Sequence, residues 1–217
     1  QFNAVIVSIF VFMISVIVIS IYIYRHFIKT RATEIFFFCA FLGGCFTEST
    51  RMLFPINGLW QSFSPLVICI GQTVVLGRIL CPLSFLFIAL LSEPGQRLNE
   101  ERNIVLIVMV SMVFGAIIPI NSAEITGLCI LKWGYARFLT IFRVVTFMLA
   151  GISMYITNKN QDISQTKQIT AGYAAMITGY VILCHTDTYL KLMLGIIFFT
   201  GGSYTYLANL HRKYLWL

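Results

Sequence analysis

The sequence predicts an all-α polytopic membrane protein: a single domain, 1–217, of seven transmembrane helices with the amino end outside and the carboxyl end in the cytoplasm. Three observations carry that prediction. Of the 217 residues 59% are hydrophobic and only 11% are charged, whereas a soluble domain carries about a quarter charged residues. Mean hydropathy is +0.87, and several runs reach the roughly 20 apolar residues that cross a bilayer. The basic residues, finally, gather in alternate connections, as they do when they set topology.

The first apolar segment is about 2–24, FNAVIVSIFVFMISVIVISIYIY, stopped by RHFIKTR. Gln1 is not an initiator residue, which reads as a trimmed or processed piece. The second segment is about 34–54, EIFFFCAFLGGCFTESTRMLF, ended by Pro55 and Gly58. The third, about 66–91, gives way to SEPGQR, and the fourth, about 103–120, ends at a connection holding Glu124, Gly127, Lys132 and Trp133. The fifth and sixth, about 137–157 and 168–184, flank the polar loop NKNQDISQTKQ. GYAAMITGY makes the sixth the least apolar of the set. The seventh is about 188–210, followed by HRKYLWL, a juxtamembrane anchor or the first turns of a helix continuing into the cytoplasm.

Arg25, Lys29, Arg31, Arg97, Arg102, Lys159, Lys167, Arg212 and Lys213 follow the first, third, fifth and seventh segments, nine of the fifteen basic residues. That bias places those connections inside. In this orientation Glu48 and Arg51 lie in the outer third of the second helix, Arg78 near mid-membrane with Gln72 above it, and Arg143 about two turns below the outer boundary. His185, Asp187 and Lys191 mark the outer junction of the last two helices.

A charge at bilayer centre costs about 2.5–3.5 kcal/mol even on lenient scales, so such groups pair, face the interior or line a wet cavity. Glu48 can pair with Arg51 at i, i+3 or with Arg78 across helices, either way stitching the bundle. Yet Arg51, Arg78 and Arg143 outnumber the one deep acid. An excess of guanidinium in a polar pocket suits a small anion, because the planar fork matches carboxylate or phosphate. The expected ligand-binding set is therefore Glu48, Arg51, Arg78, Arg143, Gln72 and Asp187.

Other features are expected to be structural. Gly43–Gly44, Gly172 with Gly179, and Gly201–Gly202 permit close helix packing. Trp60, Trp133, Tyr135 and the terminal Tyr214–Trp216 suit the interfacial aromatic belt. Six scattered cysteines, without a CxxC pair or a His/Cys cluster, imply neither a disulfide framework nor a zinc site. No Walker A loop, HExxH, GxSxG with a plausible triad, or paired intramembrane aspartate appears, so no enzyme, cofactor or metal is expected. Asp187 and Lys191 have the D-x-x-x-K spacing of a rhodopsin's retinal lysine, but that amine falls at the outer boundary and Arg78 stands where a counterion is needed.

RHFIKTRAT leading into an alanine/phenylalanine-rich helix, FTESTRMLF near its outer end, LGRILCPLSFLFIALLSEPGQR, and Asn121-Ser122 followed by ILKWGYARF give nearly the whole chain a layout. That layout resembles the amino-terminal seven-helix sensor region of bacterial histidine kinases and diguanylate cyclases. The resemblance implies a bundle that senses a ligand or a membrane state and relays through its last helix to a cytoplasmic output domain after Leu217. It also implies residence in the cell inner (plasma) membrane. Expected partners are the lipid bilayer and a small anionic ligand, with a homodimer allowed and nucleic acid not expected. Competing readings are a small-solute transporter or substrate-binding membrane subunit, which would use the same pocket but normally shows repeats and broken helices, and a structural subunit of a membrane complex.

Overall fold

A computed structural model describes residues 2–27, 33–56, 65–91, 100–160 and 166–215. These form α1 (Phe2–Phe27), α2 (Thr33–Ser49), a 3₁₀ turn (Thr50–Met52) running into the short α3 (Leu53–Ile56), α4 (Pro65–Leu91), α5 (Glu100–Ile117), β1 (Ile120–Ile125), β2 (Leu131–Trp133), α6 (Ala136–Asn160), α7 (Thr166–Cys184) and α8 (Tyr189–Leu215). The described chain is helical apart from one hairpin. α1, α4, α6 and α8 are long and apolar enough to cross a membrane.

The other three long helices fall short of that measure for identifiable reasons. α5 begins with Glu100, Glu101 and Arg102, and α7 with the polar Thr166-Lys167-Gln168. α2 has 17 residues because its axis is interrupted at the 3₁₀ turn. The interruption has a local cause. Thr47 donates its hydroxyl to the Gly44 carbonyl (2.9 Å), Ser49 to Cys45 (2.9 Å) and Thr50 to Thr47 (2.6 Å). Hydroxyls that bond back into the preceding turn loosen and bend a helix, and Pro55 then removes a further donor. The predicted unbroken helix over 34–54 is thus two helical pieces joined at the level of the charges.

The predicted fourth helix, 103–120, ends early at Ile117, because Pro119 cannot extend it and Ile120 opens a strand. The connection to α6, read from sequence only as a connection holding Glu124, Gly127, Lys132 and Trp133, is an antiparallel hairpin. Ile120 pairs with Trp133, Asn121 with Lys132 and Ile125 with Leu131, with a register shift between Asn121 and Ile125. Bonds from the Thr126 amide to the Ile130 carbonyl (2.7 Å) and from the Cys129 amide to the Thr126 carbonyl (3.0 Å) close its tip. Cys129 takes a positive φ of 55° there and is fully buried. The hairpin lies on α4 at Gly71, where a Cβ would meet Leu131 at 2.7 Å and Ile120 at 3.1 Å.

The core is aromatic. Phe41, Phe85, Phe147, Tyr180 and Phe199 pack ring on ring with centroids 4.3–6.2 Å apart, a spacing that favours edge-to-face contact. Small residues set the helix spacing around it. A Cβ on Gly77 would meet the Gly44 carbonyl and the Thr47 hydroxyl at 2.5 Å, so α2 and α4 touch backbone to backbone. Gly172, Gly179 and Gly202 seat α7 on α8 in the same way, whereas Gly43 and Gly201 face open space. Pro82, inside α4, removes the helical bond that the Arg78 carbonyl would accept.

Lys29, Arg31, Arg97, Trp60, Trp216 and Leu217 lie outside the described residues. Trp133, expected in the interfacial belt, is half-buried against the bundle, while Tyr135 is exposed.

Gly77→Ala should overpack the α2–α4 contact and destabilise the protein by about 1–3 kcal/mol. Gly201→Ala should stay within about 0.5 kcal/mol of wild type. Unfolding titrations of both variants in detergent micelles check the difference.

Candidate anion-binding site

α2 and α4 meet closely enough at Gly77 for the next residue, Arg78, to reach across. Its Nε donates to Glu48 Oε1 at 2.7 Å, with the Glu48 side chain fully buried and that of Arg78 8% exposed. The second carboxylate oxygen accepts from the Tyr180 hydroxyl at 2.8 Å and from the Cys184 thiol at 3.3 Å. Glu48 therefore ties α2 to α4 and α7 at once, and its acceptor positions toward these helices are filled. Such charge-assisted bonds are stronger than neutral ones, and they are needed: a carboxylate away from water is costly unless paired and hydrogen-bonded.

Arg51, three residues on, belongs to the 3₁₀ turn. Its Nη1 donates to the Cys184 carbonyl at 3.2 Å, filling an acceptor at the carboxyl end of α7. Arg143 of α6 lies over the Tyr180 ring, its guanidinium carbon 5.9 Å from the centroid. Arg78 lies 4.6 Å over the Trp133 ring. The weaker, cation–π attraction thus holds the guanidinium faces, but not all the N–H groups. Arg51 Nε, Arg78 Nη2, Arg143 Nε and Trp133 Nε1 are buried without a hydrogen-bond partner. All four are donors.

A pocket of about 250 Å³ is lined by three of these residues, Arg78, Arg143 and Trp133, and is walled by the hairpin, the first two turns of α6, Arg78 and the α7–α8 junction. Arg78, Arg143, Lys132, Trp133 and His185 supply its basic and aromatic wall, and none of its described lining residues is acidic. The hydroxyls of Thr126 and Thr140, also lining it, donate to the Ile130 and Ala136 carbonyls. Among the described residues the wall is therefore rich in N–H donors and poor in anionic groups.

Of the six residues predicted from sequence, the structure brings Glu48, Arg51, Arg78 and Arg143 around the Tyr180–Cys184 face of α7. Gln72 does not join them. Six residues from Arg78, it points about 120° away around α4, where Gly115 of α5 packs on its carbonyl. Asp187 also stands apart, at the surface, in an i, i+4 pair with Lys191 at 2.7 Å. The Lys191 hydrogen bond holds the Asp187 carboxyl below the usual carboxylate range.

Tyr180, Cys184 and Trp133 complete the arrangement without having been predicted. Tyr180 and Cys184 are four apart, around the apolar Val181-Ile182-Leu183, a spacing that puts two polar tips on one face. Trp133 gave no comparable signal. Its position depends on the hairpin docking at Gly71. Among the described residues, no cluster of His, Cys, Asp or Glu has the make-up of a metal site.

Glu48→Gln should cost about 3–5 kcal/mol, because it strands buried cations. Tyr180→Phe should cost about 1.5–3 kcal/mol, the worth of a hydrogen bond to a charged group. Denaturation midpoints of the two variants in micelles provide the check. Compared with protein-family models and with curated proteins, the chain matches none.

Proposed function

We propose that the chain is a seven-pass membrane receptor domain that binds a small anion between Arg78 and Arg143 and relays occupancy through α7 to α8. One observation carries the reading: three guanidinium groups lie around one carboxylate that bonds Arg78, and Arg78 and Arg143, with Trp133, border a pocket while each keeps a buried, unpartnered donor. Buried N–H groups without acceptors are rare and costly. An oxyanion supplies the acceptors and the charge together.

The relay follows from which groups share Glu48. A ligand that competes for Arg78 weakens its hold on Glu48, and Glu48 also bonds Tyr180 and Cys184 of α7. α7 is seated on α8 through Gly172, Gly179 and Gly202, so a shift in one moves the other. α8 ends against α1, with His211 edge-on to Phe27 at 5.2 Å and to His26 at 6.0 Å. Occupancy acts only through its different affinity for two packings.

Seven passes, with the amino end outside, accord with the described basic residues. Arg25, Arg102, Lys159, Lys167 and Arg212 are exposed and lie at the end of α1, the start of α5, the end of α6, the start of α7 and near the end of α8. In an up-and-down bundle these ends share one side, the inside by the positive-charge rule. The hairpin and pocket then face outward. The sensor layout inferred from sequence fits this arrangement.

Arg143→Met should fold normally, since Arg143 makes no bond to Glu48, and should weaken anion binding at least tenfold. Titration of the wild-type and variant proteins in nanodiscs, followed by thermal midpoint, measures this. Spin labels near residues 25 and 210 should report an anion-dependent distance change in wild type alone. Anion uptake into proteoliposomes that is abolished by Arg143→Met would instead assign the pocket to transport.

A further inference from the structure

The last carbonyls of α7 are filled by side chains, and one of these is a histidine. Arg51 Nη1 donates to the Cys184 carbonyl at 3.2 Å. The His185 amide and the Thr186 hydroxyl donate to the Ile182 carbonyl at 3.1 and 2.8 Å. His185 Nδ1 lies 3.0 Å from the Val181 carbonyl. A carbonyl oxygen only accepts, so Nδ1 carries the proton of the neutral ring. Nε2 keeps its lone pair and is the one atom of this side chain that can take a second proton. The ring is exposed, one residue beyond α7, and lines the same pocket as Arg78 and Arg143. Charge decides whether that second proton is held. The carboxyl end of a helix favours a cation. Against it stand Arg143 of α6, Arg78 of α4 and Lys132 of β2, all lining the pocket, with Arg51 on the neighbouring carbonyl. Glu48 of α2 is bonded to Arg78, and Asp187 is paired with Lys191 at 2.7 Å, so each acid near the ring is already matched by a cation. Partial burial and, beyond it, the Arg143 and Arg78 charges hold His185 below the usual histidine range, against the pull of the Val181 bond and Glu48.

We infer that the site takes its anion together with a proton, bound at His185 Nε2, so that the receptor responds jointly to an anion and to acidity. This rests on the anion-receptor reading above. An anion in the pocket lowers the positive potential that keeps the second proton off the ring. The coupling runs both ways: if the anion favours the proton, the proton favours the anion by the same factor. The sign follows. At high pH His185 is neutral with or without the anion, and affinity is constant. Affinity rises as pH falls through the titration of the anion-bound form. It levels off below that of the anion-free form, which lies under the usual histidine range. The proton also lands where the relay begins, because His185 is bonded to the last turn of the helix whose Tyr180 and Cys184 hold Glu48.

The test is a calorimetric titration of the full chain in zwitterionic-lipid nanodiscs with sodium sulfate and sodium methanesulfonate. The charges of both anions are constant between about pH 5.5 and about pH 8, the span in which histidine titrates. Each should bind roughly fivefold or more tightly at the lower pH. Heats measured in buffers of different ionisation enthalpy should show proton uptake on binding, up to one proton per anion. His185→Gln should keep the wild type's high-pH affinity throughout, and His185→Arg should keep a low-pH affinity throughout. Separately, the His185 ring resonance, identified by its loss in His185→Gln, should titrate at a higher pH in Arg143→Met than in wild type. Binding that Arg143→Met weakens but pH leaves unchanged, or pH dependence that survives His185→Gln, would overturn the proton site and leave the anion receptor standing. His185 titrating at the same pH in wild type and Arg143→Met would overturn it too. Failure of both anions to bind at either pH would remove the receptor reading as well.

Discussion

A carboxylate with no access to water and three guanidinium groups around it is the constraint on which this bundle is built. Glu48 must be satisfied on both oxygens, and the groups that satisfy it come from α4 and α7. Helix spacing is adjusted to that end. Gly77 and Gly44 let α2 and α4 approach until Arg78 can span the gap, and the aromatic core fixes Tyr180 so that its hydroxyl reaches the same carboxylate. A buried ion pair is weak grounds for stability in itself, since desolvation can exceed the attraction. Here it has a second consequence: with fewer acids than bases, the solution that stabilises Glu48 leaves cations over.

The long helices were legible because each is an extended apolar run, and four of them, α1, α4, α6 and α8, have the length and apolarity that a bilayer crossing requires, both visible in a linear string. Less visible was everything that depends on packing. Glu48 could pair with Arg51 or Arg78 by spacing and depth. The choice falls to Arg78 because the hydroxyl-rich end of α2 runs into the 3₁₀ turn Thr50–Met52, from which Arg51 donates to the Cys184 carbonyl. Gln72 was at a plausible depth but on another face of α4. Asp187 was at a plausible end of its helix, where Lys191 at i+4 gave it a local partner.

The hairpin shows the same division. Residues 120–133 read as a polar connection with a belt tryptophan, and isolated two-stranded hairpins are marginal in water. The fold stabilises this one by seating Leu131 and Ile120 on Gly71 and by burying Cys129 beside Val5, Ile9 and Met52. Those contacts join residues far apart in the chain, so no local pattern announces them. The tryptophan that results is a pocket wall, over the guanidinium it partly shields from solvent.

Pro82 gives this geometry a mechanical side. Its missing amide leaves the Arg78 carbonyl without a helical partner, so α4 is most compliant in bending at the residue that carries its charge. Lever and fulcrum coincide. A force on that guanidinium acts where the rod is softest, and what would elsewhere be a local side-chain adjustment becomes a change in the tilt of one half of α4 relative to the other.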